Sequence, residues 1–93
     1  MANVRVCGDE FELIEQGNFT IKPNLSWRIL DAGLDKDNVR SYFVVIPFEY
    51  DGAEQILKNS YPYPLIKSLY DKTFYVIVKG FPLEQIKNVL KQF

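Results

Sequence analysis

Histidine is missing from the chain, and cysteine occurs once, at position 7. Without histidine, a Ser-His-Asp or Cys-His device has no base. The commonest metal ligand is missing with it. A lone cysteine forms no disulfide within the chain and argues for a reducing compartment. The first ten residues, Met1 to Glu10, hold neither a basic stretch nor an apolar one, so no signal peptide is expected. The longest apolar-rich run, Tyr42 to Phe48, is far too short to span a bilayer. The expectation is a soluble, cytoplasmic protein with no membrane role.

A basic excess is also lacking. Eleven Lys and Arg stand against twelve Asp and Glu, a formal net charge of −1. Nucleic-acid-binding domains usually carry surplus cations that displace counterions from phosphate. Dividing the chain after Ile46 gives five basic residues against seven acidic ones, then six against five. That weak asymmetry points to two faces of different sign. The 93 residues make one domain, 1–93. Such a chain buries roughly 65% of its unfolded surface and has a radius of gyration of roughly 12 Å.

What the chain does contain reads as α+β: an N-terminal antiparallel β-meander, then β-α-β-α with a C-terminal amphipathic helix. Asn3 to Cys7 reads as a short strand with Val4 and Val6 on one face. Phe11 to Glu15 and Phe19 to Lys22 flank Gln16-Gly17-Asn18, a hairpin signal. Leu25 to Leu30 fits a strand, with Leu25, Trp27 and Ile29 on one face. It also fits a helix capped by Ser26 and stopped at Gly33, and the reading leans to strand. Asp35 to Asn38 is a loop. Arg40 to Phe48 is apolar on both faces, which marks a central strand.

Asp51-Gly52-Ala53-Glu54 opens a helix to about Asn59, with Asp51 as cap and Glu54 and Lys58 as an i,i+4 pair. Pro64 is placed to start a second short helix burying Leu65, Ile66 and Leu69. Thr73 to Lys79 is a second two-faced strand. If it neighbours Arg40–Phe48 through a helix, the two run parallel with a right-handed crossover. Pro82 sits at the first position of the last helix. Leu83, Ile86, Val89, Leu90 and Phe93 form its apolar stripe.

Motifs for chemistry fail one by one. Asp35-Lys36-Asp37-Asn38 begins like a calcium loop, but the positions that need Gly and Glu are Arg40 and Ile46. Neither a phosphate-binding glycine loop nor a dinucleotide fingerprint occurs, so no cofactor is expected. Cys7 would be nucleophilic beside a lysine or a helix end, whereas its sequence neighbours place it at a strand end. Asp9, Glu10, Glu12 and Glu15 form an acidic group, with Glu10 and Glu12 on one strand face.

All six tyrosines lie between Tyr42 and Tyr75. Tyr61 and Tyr63 alternate with Pro62 and Pro64 in a stiffened loop where burial is least expected, and the isomer of the Tyr-Pro bonds stays open. With catalytic side chains scarce, the leading expectation is a non-enzymatic protein-binding module. It would occupy a surface of a larger protein as a small inhibitor, an immunity-type or anti-defence protein, or an accessory subunit. Tyr50, Tyr61 and Tyr63 are the expected aromatic anchors. Asp9, Glu10, Glu12, Asp35 and Asp37 are the expected steering charges, which favour a basic or nucleic-acid-handling partner. Two alternatives are a single-stranded nucleic-acid-binding domain using a Tyr/Lys face and a small carboxylate-based enzyme. Homodimerisation through an edge strand stays open.

Overall fold

The computed structural model describes residues 3–93. The elements are β1 (Asn3–Val6), β2 (Asp9–Asn18), β3 (Ser26–Leu34), β4 (Arg40–Pro47), α1 (Ala53–Ser60), β5 (Ile66–Ser68), β6 (Thr73–Lys79) and α2 (Leu83–Leu90). The strands form one curled sheet in the order β1-β2-β3-β4-β6-β5, with every pairing antiparallel. The α+β architecture read from the sequence is the one that forms. The Cα radius of gyration is 12.4 Å.

The two-faced pattern of Arg40–Phe48 has its expected meaning. β4 lies between β3 and β6, and its alternating side chains enter two separate cores. Val44 and Ile46 point to the outer face, where Ile56 and Leu57 of α1 and Ile86 and Leu90 of α2 cover them. Phe43 and Val45 point to the inner face, against Val6, Leu30 and Tyr75. Each fully buried aliphatic side chain here contributes about 1.5–3 kcal/mol of transfer free energy.

The inner face is covered by the chain's own first hairpin. A register shift between Leu13 and Glu15 pairs Leu13 with Leu30 but Glu15 with Ile29. Such a bulge bends the strand and sharpens its twist. Past it, residues 9–12 of β2 leave β3, pair with β1 and fold over the sheet. Phe11 meets Phe43 edge-on at 4.6 Å between ring centroids, and Phe43 meets Tyr75 at 5.5 Å. The result is a half-barrel with the hairpin as its flap.

Several expected elements are replaced. Gly17 is not a hairpin turn: β2 runs through it to Asn18. It faces Trp27, and a Cβ there would stand 2.5 Å from the indole ring, so the glycine admits tryptophan rather than a turn. Phe19 to Lys22 is a loop in which Phe19 is fully buried. Leu25–Leu30 resolves as strand, within Ser26–Leu34. Gly33 does not stop a helix; at φ 87° it lies within a second register shift, between Asp31 and Leu34.

β4 and β6 are neighbours but antiparallel, with Pro47 opposite Thr73. The chain leaves β4 through α1 and returns in β5, which runs in the same direction as β4. β6 then inserts between them. The expected crossover therefore lands one strand further out. Leu65 to Leu69 form no helix: Ile66, in β5, pairs with Tyr75, and both Ile66 and Leu69 are exposed. Pro restricts its preceding residue to extended backbone, which suits an approach to a strand.

The caps differ too. Gly52, at φ 87°, is the N-cap of α1 without a side-chain hydrogen bond, while Asp51 pairs with Lys22 at 3.5 Å. Glu54 and Lys58 do pair, at 3.3 Å. Pro82 is the N-cap of α2 rather than its first helical residue. The stripe of α2 packs as expected, with Ile86 and Leu90 fully buried. Both Tyr-Pro bonds are trans.

Candidate functional site

The tyrosines read as anchors separate into buried and exposed. Tyr50 and Tyr61 are 6% and 2% exposed and belong to the outer core. Tyr50 packs on Phe19 at 4.2 Å, and Tyr61 on Phe81 at 5.8 Å. The Tyr61 amide donates to Leu57 at the end of α1, which turns the ring inward over the sheet. Its hydroxyl is buried without a partner among the described residues, and burial pushes the phenol up to about 12. Tyr63 is half-buried and donates from its hydroxyl to the Lys79 carbonyl at 2.9 Å. The expected open Tyr-Pro loop is thus packed down. The exposed ring is Tyr70, at 84%, beside Leu69 at 74%.

The acidic residues do not form one patch of free charge. Glu10 pairs with Arg5 at 3.2 Å, across the β1–β2 ladder. Glu10 and Glu12 share a face, opposite the inward Phe11 and Leu13. Asp9 is exposed at the start of β2. Asp35 builds the β3–β4 turn: one carboxylate oxygen accepts from the amides of Asp37 and Val39. Asp37 is exposed on that turn. Asp31, not singled out in the sequence, takes both of its oxygens to Arg40 at 2.7 and 2.8 Å. Partial burial would raise its pKa, but the Gly33 amide and the Arg40 guanidinium outweigh that and hold it below the usual value. Glu15 meets Lys87 of α2 at 3.0 Å, and the hydrogen bonds that Lys87 donates to Glu15 and Glu84 raise its pKa above the ordinary value.

An open concavity lies elsewhere, where the hairpin tip meets the β5–β6 turn. A cleft of about 510 Å³ is lined by Arg5, Cys7 and Gly8 on one side and by Lys67, Ser68, Leu69 and Tyr70 on the other. No carboxylate lines it. Cys7 has left-handed backbone, φ 52°, a conformation that costs a non-glycine residue about 1–2 kcal/mol. Three contacts hold it there. Its amide donates to Asp71 Oδ2 at 2.8 Å, its thiol points to Ser68 Oγ at 3.6 Å, and its sulfur lies 3.4 Å from the Tyr75 hydroxyl. Ser68 Oγ donates in turn to Asp71 Oδ2 at 2.9 Å. Burial, then the Cys7 and Asp71 neighbours, push the Tyr75 phenol up to about 12.

These contacts make the β5–β6 turn a stiff platform for Leu69 and Tyr70. Sequence reading marked Asp71-Lys72 as a turn and Cys7 as a strand end. Nothing local to either segment signals that they meet. Two smaller cavities of about 250 Å³ continue along the sheet and share Ile77 and Lys79. Among the described residues, no three His, Cys, Asp or Glu side chains converge to hold a metal ion. None of the described helices is long and apolar enough to cross a membrane. Comparison with protein-family models, curated proteins and solved structures found no match.

Proposed function

We propose that the protein is a non-enzymatic binding module that occupies a surface of a larger protein, with Leu69 and Tyr70 as its anchor. One observation carries this reading. Two large apolar side chains, 74% and 84% exposed, project from a turn whose backbone is tied down by Ser68, Asp71 and Cys7. Exposed apolar side chains on a rigid support lose little entropy on binding. Aromatic anchors of this kind typically carry about 2 kcal/mol or more of an interface. The inhibitor, immunity-type and accessory-subunit roles all use this mode. Affinity capture from the host with the native chain and with Leu69→Ala/Tyr70→Ala tests it. A stoichiometric partner is captured by the first and lost by the second. A partner retained equally by both overturns the assignment.

A second reading, single-stranded nucleic-acid binding, draws on Tyr70 and Lys67 lining one cleft with Arg5. Stacked bases and phosphate contacts would then supply the affinity, which would fall steeply with salt. Titration with an oligothymidine at low and moderate salt separates it from the first.

A further inference from the structure

The flap leaves one end of the inner face uncovered. Residues opposite each other in an antiparallel ladder share a face. Phe43 pairs with Ile77 and Ser41 with Lys79, so these four side chains lie on the same face of β4 and β6 as Val45 and Tyr75. Phe43 is buried, whereas Ile77 and Ala32 pack at the margin of that core and are only half-buried. β5 reaches no further along β6 than Tyr75, which leaves Val76 to Lys79 without a strand on that side.

Ile77 and Lys79 form the wall common to two cavities of about 250 Å³ each. The cavities differ in chemistry. One is completed by Tyr63, Pro64 and Ile66. The Tyr63 hydroxyl is spent on the Lys79 carbonyl, so the ring stands as a fixed wall of an apolar hollow. The other cavity is polar at Ser41 and Asp35. Ser41 is 6% exposed, and its hydroxyl makes no hydrogen bond among the described residues. Hydroxyls so deeply placed normally have a partner. Lys79 stands opposite Ser41 in the ladder, and no carboxylate among the described residues pairs with its ammonium. Asp35 shares the cavity, but its Oδ1 accepts from the amides of Asp37 and Val39, which commits it to its own turn.

A cation and an idle hydroxyl beside an apolar hollow recognise an anionic head on an aliphatic tail. We infer that the protein binds a medium-chain carboxylate, a small fatty acid, at the end of β6. The Lys79 ammonium and the Ser41 hydroxyl hold its carboxylate. Its tail crosses Ile77 and fills the hollow between Ile66 and Pro64. Each cavity is smaller than the roughly 300–1,000 Å³ of drug-sized pockets, which limits the length of the tail. This site shares no residue with the Leu69–Tyr70 cleft and does not rest on the protein-binding reading.

The test follows amide NMR shifts of the intact chain with three ligands of one tail: octanoate, octanol and octylammonium. Octanoate gives saturable shifts at Ser41, Ile77 and Lys79 and binds more tightly than octanol. Octylammonium gives none there. Lys79→Met weakens octanoate by about tenfold or more and leaves octanol unchanged. Ile66→Ser weakens both. Lys79 and Ile66 are exposed, so folding survives either substitution. No saturable binding at about 1 mM octanoate overturns the inference. Full octanoate affinity in either variant does so too, as does octylammonium binding as tightly as octanoate. Shifts centred on Leu69 and Tyr70 would place the ligand in the other cleft and overturn it as well.

Discussion

The amide of Cys7 donates to the carboxylate of Asp71 at 2.8 Å, although 64 positions separate the two residues. The same carboxylate oxygen accepts from Ser68. One acidic side chain therefore ties the tip of the first hairpin to the turn that carries Leu69 and Tyr70.

Asp71→Ala removes the acceptor shared by both hydrogen bonds and leaves the Cys7 amide to water or to nothing. Loss of hydrogen bonds to a charged group costs about 1.5–3 kcal/mol, and the partial exposure of this site favours the lower end. Urea unfolding should show that loss as a lower midpoint. Hydrogen exchange should speed up in β1 more than in β4 or β6. A uniform change across all strands would mean that Asp71 does not latch the hairpin.

Gly17→Ala places a methyl 2.5 Å from the Trp27 ring. Overpacking of this kind typically costs about 1–3 kcal/mol. Trp27 is the sole tryptophan, so its fluorescence reports the repacking directly. In a Trp27→Leu background the same substitution should cost much less. Equal costs in both backgrounds would place the strain elsewhere.

Alkaline pH should unfold the protein through its phenols. Burial raises Tyr61 and Tyr75 to about 12 from 10.0. Between those values the unfolded chain releases protons that the folded chain keeps, so stability falls as pH rises. The contribution is whole below pH 10 and lost through pH 12. Tyr61→Phe deletes a buried hydroxyl that has no described partner, so it should flatten the decline and leave neutral-pH stability equal or higher. At the acidic end, Asp31 works with the opposite sign: its lowered pKa contributes stability that disappears as pH falls through its folded value. A decline between pH 10 and 12 unchanged by Tyr61→Phe would assign the alkaline loss to Tyr75.

Leu69→Ala and Tyr70→Ala should leave stability within about 0.5 kcal/mol of the native chain, as exposed substitutions generally do. Affinity for a partner should nevertheless drop. Calorimetric unfolding and binding measured on the same preparations separate the two effects. A large fall in stability would show that the turn supports the fold rather than presenting an anchor.

Legibility in the sequence followed local periodicity. β4, β6 and α2 were readable because each carries its pattern over seven or more residues. β5 was not, since three residues set no period and two prolines precede it. Gly17 misled because glycine permits both a turn and close approach to an aromatic ring, and which of these is used depends on Trp27 across the ladder. Tyr61 misled because its burial is decided by how α1 ends, not by the prolines around it. The cleft was the least legible feature. Arg5 and Cys7 reach Lys67 and Ser68 through the curl of the whole sheet, which no short window contains.

The register shift between Leu13 and Glu15 gives β2 two allegiances. Phe11 and Leu13 serve the inner core, whereas Glu15 and Gly17 serve the helix-covered side. Ile14 is the extra residue: without it Leu13 and Glu15 would meet Leu30 and Ile29 in simple alternation, each keeping its present face. What the strand would lose is its bend. A single codon there decides whether the first hairpin folds back over Phe43 or runs on in the plane of the sheet.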